Sequence, residues 1–110
     1  MADESEPLVG NASDPRQVRA AGKKAKQRDR AREDQLRFIL NSPLGRRWYW
    51  NKMNEMFVFL PTFDTNPYQS AFNEGFRNAG LMLLRELEQV DPALVVLMRQ
   101  EAAADQERGL

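Results

Sequence analysis

Four times along this chain a short polar residue stands directly before a proline: Asp14-Pro15, Ser42-Pro43, Asn66-Pro67 and Asp91-Pro92. A polar side chain caps a helix by accepting a hydrogen bond from a free backbone N–H of the first turn. Proline suits the first helical position, where its missing N–H costs nothing and its φ is already near the helical value. Gln17 and Gln69 lie three residues beyond two of these caps and add the character of a capping box. The repeated signal predicts four helices.

The predicted helices lie at about 15–41, 43–58, 67–90 and 92–105, and residues 61–65 form the one extended loop. No segment shows the sustained alternation with β-branched residues that is typical of a strand. A chain of 110 residues has room for one modest domain. The expected fold class is therefore all-α, a small bundle of about four helices with a projecting basic N-terminal helical arm.

The arm is predicted because the two halves of the first helix differ. Leu36, Ile39 and Leu40 can join a core, whereas the apolar residues between positions 16 and 32 are Val18 and several alanines. That first half buries too little apolar surface to be held to a domain. We therefore expect an acidic flexible tail at 1–14, a basic helical arm at 15–35, a helical core domain at 36–105 and a C-terminal tail at 106–110.

Eight Lys and Arg residues of the arm stand against a single acid, Asp29, between positions 16 and 32. On a helix they form two stripes, the first at spacings of three and four and the second at spacings of four: Arg16, Arg19, Lys23, Lys26 and Arg30, then Lys24, Arg28 and Arg32. Such a surface suits a polyanion, because phosphates release counterions on contact and no base-edge reader is required. A solvated helix, or an arm that docks on an acidic protein surface, remains an equal alternative.

The third predicted helix carries an apolar stripe at spacings of three and four: Tyr68, Ala71, Phe72, Gly75, Phe76, Ala79, Leu83 and Leu87. Within it, Ala71, Gly75 and Ala79 form a groove of small residues that another helix could approach closely. Leu81 and Leu84 lie off this stripe, so we expect the helix to be covered on a second side. The apolar surface exceeds what a small core needs and indicates contact with another subunit.

Three adjacent aromatic residues, Trp48, Tyr49 and Trp50, lie in the second predicted helix. Because neighbouring residues on a helix point in different directions, they do not form one stacking platform. The favoured interpretation is a core position plus one exposed aromatic, with Tyr49 or Trp50 as the residue left outside. The candidate helix-packing or interface residues are thus Trp48, Trp50, Ala71, Gly75, Ala79, Leu81 and Leu84.

The sequence has neither Cys nor His, which excludes disulfides, Cys–His nucleophiles, His-based triads and the commonest zinc sites. The polar set Asn73, Glu74, Arg77 and Asn78 is interpreted as intrahelical support, because nothing places a second carboxylate beside it. No apolar run is long enough to span a bilayer, and the acidic N-terminus is unlike a signal peptide. We expect a soluble, non-enzymatic protein with no catalytic residues, no metal site and no cofactor.

Two stretches resemble a known family: RQVRAAGKKAKQRDR from Arg16, followed by Leu36 and by SPLGRRW from Ser42, and AFNEGFRNAGLMLL from Ala71. The family is that of short phage proteins typified by one from a Bordetella podovirus, encoded among the head and portal genes of short-tailed phages. The resemblance covers about residues 16–98 and is most distinctive in AFNEGFRN. It implies a virion structural or internal protein without a known enzymatic activity.

In such a setting the chain is made in the host cytoplasm and resides in the virion, associated with the portal or with ejected internal components. The expected partners are a phage structural protein (the portal or a neighbouring internal or tail protein), further copies of this chain as a homo-oligomer, and the packaged DNA. Two alternatives remain open. One is a nucleic-acid-binding accessory protein, and the other is an assembly factor, such as a scaffold, that is absent from the mature virion.

Overall fold

The computed structural model describes residues 14–110, and the predicted acidic tail, apart from Asp14, lies outside the described residues. Within this range the chain forms four α-helices and no β-strand: α1 Pro15–Ile39, α2 Pro43–Glu55, α3 Pro67–Val90 and α4 Pro92–Glu107. The predicted all-α fold class is confirmed. Each helix begins at the predicted proline, whereas α1 and α2 end a few residues earlier, and α4 slightly later, than the sequence predicts.

All four predicted caps accept hydrogen bonds from the first turn of their helix. The bonds run from Arg16 N to Asp14 (2.9 Å), Gly45 N to Ser42 (3.2 Å), Tyr68 N to Asn66 (2.9 Å) and Ala93 N to Asp91 (3.0 Å). The capping box predicted at Asn66 is wrong. The Gln69 side chain donates to Asn73 instead, and the backbone N–H of Asn66 donates to the Asp64 carboxylate at 2.8 Å. The caps therefore rest on the polar residue before each proline.

Helix α2 ends earlier than predicted because the chain turns through a left-handed residue at Phe57, whose φ is 62°. The Phe57 N–H donates to the Asn54 carbonyl at 3.0 Å, and the Val58 N–H donates to the Met53 carbonyl at 3.1 Å. This is the Schellman pattern, in which glycine is the usual left-handed residue. Phenylalanine is not among the residues that usually end a helix, so the sequence does not predict that α2 ends here.

Helix α4 ends in the same pattern with a glycine. Gly109 has a φ of 78°, its N–H donates to the Gln106 carbonyl, and the Leu110 N–H donates to the Asp105 carbonyl at 2.8 Å. The helix itself continues to Glu107. Most of the stretch predicted as a C-terminal tail therefore forms the last helical residues and their cap.

Within residues 14–110 the chain divides into two units, one that ends at Gln35 and one that spans Leu36–Leu110. In the second unit α2, α3 and α4 pack pairwise against one another. The buried apolar residues of its core are Leu36, Leu40, Tyr49, Trp50, Met53, Val58, Leu87 and Met98. Leu36 and Leu40 belong to this core as expected, whereas Ile39 is 39% exposed.

The face that α3 turns to the core differs from the predicted apolar stripe. Its buried residues, Asn73, Gly80 and Leu87, recur every seven positions, and Leu81 and Leu84 pack against the core beside them. Most of the predicted stripe is exposed instead: Tyr68, Ala71, Phe72, Gly75, Phe76 and Ala79. Asn73, which is polar, and Gly80, which has no side chain, thus face inward. The pattern of hydrophobic residues in α3 does not predict this.

The close helix contact of α3 lies at Gly80 and not at Gly75. A Cβ on Gly80 would lie 2.5 Å from Val58 Cγ2 and 2.8 Å from Met56 Cβ, so only glycine fits against the turn after α2. A Cβ on Gly75 would meet nothing within 4 Å. The predicted small-residue groove is therefore not a helix contact within this chain.

Candidate functional site

Helix α1 carries all eight predicted polyanion-binding side chains in an exposed position: Arg16, Arg19, Lys23, Lys24, Lys26, Arg28, Arg30 and Arg32. Because they lie on one helix, the residues of the first predicted stripe share one side of it. Arg16 is the only one of the eight beside a cap carboxylate, with its Nε 3.8 Å from Asp14 Oδ1. The structure thus places the basic side chains in solvent, where a polyanion can reach them.

The first half of α1 is helical by local propensity. It consists largely of Ala, Lys, Arg and Gln, which are strong helix formers. Val18 is 52% exposed, and a Cβ on Gly22 would meet nothing within 4 Å. Like charges three and four residues apart destabilise a helix, and a polyanion that neutralises them removes that cost. Contact with phosphates is therefore a way for this half of α1 to gain stability.

One side of α3 carries exposed apolar and small residues. We call it the α3 outer face, and it consists of Tyr68, Ala71, Phe72, Gly75, Ala79 and Met82. Tyr68 is 86% exposed, Phe72 64% and Met82 65%. The Phe72 ring lies 5.9 Å from the Phe76 ring, which in turn meets Phe57 edge-on at 6.4 Å. A chain of aromatic contacts thus joins the left-handed turn after α2 to this apolar surface.

Helix α2 also presents an exposed apolar pair, formed by Leu44 and Trp48 one turn apart, with exposed fractions of 72% and 57%. The Lys52 ammonium lies 5.5 Å from the Trp48 ring centroid. The expectation that Tyr49 or Trp50 stays outside is wrong. Both are buried: the Tyr49 hydroxyl donates to the Leu83 carbonyl at 2.9 Å, and Trp50 stacks on Phe59.

Two arginines of α2 bind carboxylates of α4, and no pattern in the sequence predicts that these four side chains meet. Arg46 donates two hydrogen bonds to Glu101, both 2.8 Å long. Arg47 donates to the two oxygens of Asp105 at 2.6 and 3.0 Å, and Arg108 adds a third bond to Asp105 at 2.5 Å. These bidentate ion pairs hold α2 against α4 in a defined geometry.

The arginines lower the pKa of both carboxyl groups. Hydrogen bonds from Arg47, then from Arg108, lower the pKa of Asp105 to about 2. The hydrogen bonds from Arg46 lower the pKa of Glu101. Asp105 therefore stays ionised well into the acid range, and the contact with Arg46 favours the ionised form of Glu101 in the same way.

A cleft of about 430 Å³ lies between α2 and α4 beside these pairs, lined among others by Trp50, Met98 and Arg99. The Arg99 guanidinium lies over the rings of Trp50 and Phe59, 5.9 and 5.5 Å from their centroids. Arg46 and Arg47, which also line the cleft, already hold carboxylates of α4. Arg46 and Arg47, two of the polar residues of the cleft, thus serve the contact between the two helices.

Asn73 and Glu74, two residues of the polar set of α3, bind the loop before the helix, where the sequence indicated bonds within the helix. Asn73 is buried and its side chain donates to the Thr62 carbonyl at 3.2 Å, while Glu74 accepts a hydrogen bond from the Thr62 hydroxyl. The loop is closed further by Ser70, whose hydroxyl donates to the Asp64 carbonyl at 3.0 Å. These bonds explain why α3 turns Asn73 inward.

Among residues 14–110, no group of three or more His, Cys, Asp or Glu side chains is placed to hold a metal ion. None of the helices in this range has the length and apolar character needed to cross a membrane. No protein-family model, no curated protein and no solved structure matches the chain.

Proposed function

We propose that this chain is a non-enzymatic structural protein of a phage virion, and that its basic helix contacts the packaged DNA. The observation that carries the proposal is the set of eight exposed Lys and Arg side chains on α1, with a single acid between residues 16 and 32. The resemblance of residues 16–98 to short podovirus proteins supports the phage setting and a place near the portal or among ejected internal components.

The charge pattern favours contact with the phosphate backbone of DNA over recognition of its bases. Contacts with phosphates need only cations at a suitable spacing. Both stripes of α1 consist of exposed Lys and Arg side chains. If the five residues of the first stripe each meet a phosphate, log affinity should fall with log salt at a slope of about 4 to 5, since each contact contributes about 0.9. Binding should be independent of nucleotide sequence.

A second contact, to a larger phage protein, is proposed at Leu44 and Trp48. Exposed tryptophan is enriched among the residues that dominate protein interfaces, because one side chain buries a large apolar area. Trp48 and Leu44 lie one turn apart on α2, so both can enter the same pocket of a partner. The portal or a neighbouring internal or tail protein is the partner that the resemblance suggests.

Fluorescence anisotropy with a labelled duplex, measured from 50 to 200 mM salt, tests the DNA contact. A variant with Gln at all five positions of the first stripe should bind more weakly and flatten the salt dependence by about 4 to 5. Gln has nearly the helix propensity of Lys and Arg, so α1 should stay helical. The matched control is Arg85→Gln, the same change at an exposed residue of α3. Absence of wild-type binding at low salt would exclude DNA and leave an acidic protein surface as the target of the arm.

Mass spectrometry of purified virions tests the location. A structural protein should be present in the particles at a fixed copy number. An assembly factor, or an accessory protein that acts only during infection, should be found in the infected cell and be missing from the purified particles.

A further inference from the structure

We propose that α3 pairs with α3 of a second copy of this chain, in an antiparallel two-fold contact centred on Gly75. The contact is made by the α3 outer face, the surface of Tyr68, Ala71, Phe72, Gly75, Ala79 and Met82. Tyr68, Phe72 and Met82 each expose well over half of their surface there. The inference concerns α3 alone and holds whether or not α1 binds DNA.

Four of the side chains are arranged symmetrically about Gly75, whereas the position that corresponds to Phe72 is the polar Asn78. Seven positions to either side stand the large Tyr68 and Met82, and four positions to either side stand Ala71 and Ala79. In an antiparallel pair centred on residue 75, each residue faces the one at the same distance on the other side of the centre. Tyr68 thus meets Met82 of the second copy, and Ala71 meets Ala79. Large residues lie at both ends of the contact and small ones in the middle, where the helices cross most closely.

The available area extends to the lower limit for a specific dimer. Tyr and Phe side chains each offer about 150–250 Å² when fully exposed. With the exposed fractions of Tyr68, Phe72 and Met82, which are 86%, 64% and 65%, and of the adjoining Phe76, which is 38%, this surface offers about 400–600 Å² per copy. Specific interfaces begin at about 600 Å² per partner, so burial of this face reaches the lower end of their range.

The chemistry of the face favours a second copy over a polyanion or an arbitrary protein. The α3 outer face consists of apolar and small residues and carries no cation, and its one hydrogen-bonding side chain is Tyr68, so it offers a phosphate little. Its symmetric arrangement about Gly75 makes it complementary to itself, as a two-fold interface requires. Antiparallel pairing also sets the helix dipoles of the two copies in opposite directions, which is the favourable alignment.

Gly75 allows a test that leaves the protomer intact, because a side chain added there meets nothing within 4 Å in the same chain. Gly75→Leu should preserve or raise helix content, since leucine is a better helix former. In the dimer, leucine would stand on the two-fold axis and keep the helices apart. The matched control is Gly22→Leu, at a helical glycine of α1 that is equally open.

Sedimentation velocity over a range of protein concentrations measures the pairing. The wild type and Gly22→Leu should show the same concentration-dependent dimer, and Gly75→Leu should weaken it at least tenfold with unchanged circular dichroism. A wild type that stays monomeric at hundreds of micromolar would overturn the proposal, and so would a dimer that Gly75→Leu leaves intact.

Disulfide crosslinking tests the antiparallel register, because the natural chain has no cysteine. Gly75→Cys should crosslink to itself under mild oxidation, since the two residues meet on the axis. Ala71→Cys alone should not crosslink, whereas a mixture of Ala71→Cys and Ala79→Cys should give the mixed dimer. Self-crosslinking of Ala71→Cys as efficient as that of Gly75→Cys would indicate a parallel pair and overturn the proposal. These outcomes do not depend on DNA binding, so they are expected even if the chain does not bind DNA.

Discussion

Gly45 and Gly80 stand where a neighbouring segment approaches the helix backbone too closely for a Cβ to fit. A Cβ on Gly45 would overlap the Ile39 carbonyl at the end of α1, and a Cβ on Gly80 would press on Met56 and Val58 after α2. Glycine inside a helix costs about 1 kcal/mol relative to alanine. The close packing at these two positions explains why that cost is accepted there.

We predict that Gly80→Ala destabilises the fold, whereas Gly75→Ala in the same helix stabilises it slightly. Overpacking against Val58 and Met56 should cost about 1–3 kcal/mol, which outweighs the gain in helix propensity of about 1 kcal/mol. At Gly75 only the gain applies, because the added methyl group meets nothing in the protomer. Urea unfolding at low protein concentration, where copies are dissociated, measures both. Equal stability of the two variants would show that α3 shifts freely at Gly80.

At the scale of single residues, some features could be predicted from the sequence and others could not. The four caps were predictable because each depends on a polar side chain and a proline that are neighbours in the chain. Phe57 at a φ of 62° was not, since a phenylalanine adopts this conformation only when the surrounding structure holds it there. The exposed aromatic was misplaced for a similar reason. Whether Trp48 or Trp50 faces inward depends on where Phe59 lies, and that is a tertiary contact.

At the scale of elements, the existence of the helices was predictable and the choice of their buried faces was not. The apolar stripe of α3 predicted one face, yet the helix buries the side that carries Asn73 and Gly80. Asn73 is held inward by the carbonyl of Thr62, and Gly80 by the turn after α2. Both determinants belong to other segments of the chain, which a pattern within α3 cannot report.

The contact between α2 and α4 predicts how stability depends on pH. Because the pKa of Asp105 is lowered to about 2 in the folded protein, its ionised form stabilises the fold at any pH above the ordinary value near 4. That contribution should decline as the pH falls from about 4 to about 2. Glu101, whose pKa is also lowered by its arginine, should act in the same direction.

We expect the urea midpoint of the wild type to fall between pH 4 and pH 2, and Asp105→Asn to lower it already at pH 7. The variant should then show a smaller further decline in acid, because one of the linked carboxyl groups is gone. Glu107→Gln, at an exposed position of the same helix, is the control and should follow the wild type. An acid dependence identical in Asp105→Asn and the wild type would show that the bonds from Arg47 and Arg108 do not stabilise the fold.

At the scale of the whole molecule, the chain combines a unit that contains a core with one that contains the predicted basic stripes. The buried apolar residues belong to Leu36–Leu110, whereas the eight exposed cations of the two basic stripes precede residue 36. Burial of apolar surface is the main stabilising term in folding, so the second unit holds nearly all of it. The proposed DNA contact and the stability of the fold should therefore be separable by deletion.

We predict that deleting residues 1–32 leaves the thermal melt of the core within about 2 °C of the wild type and abolishes DNA binding. Val18 is half exposed and the basic side chains are in solvent, so the described part of the deleted segment buries little apolar surface. Circular dichroism follows the melt, and fluorescence anisotropy with a labelled duplex follows binding. A fall of ten degrees or more would show that the arm packs against the rest of the chain.

The same measurement on two point variants places the boundary of the core within α1. Leu36→Ala should lower the free energy of unfolding by about 2–5 kcal/mol, because Leu36 is only 5% exposed and its removal leaves a cavity. Phe38→Ala, two residues on, should change it by less than about 0.5 kcal/mol, since Phe38 is 83% exposed. For a domain of this size, 1 kcal/mol corresponds to about 4–8 °C in the melting temperature, so the two variants are readily distinguished. If Leu36→Ala melts like the wild type, the end of α1 does not belong to the core, and the boundary of the folded unit lies nearer to α2.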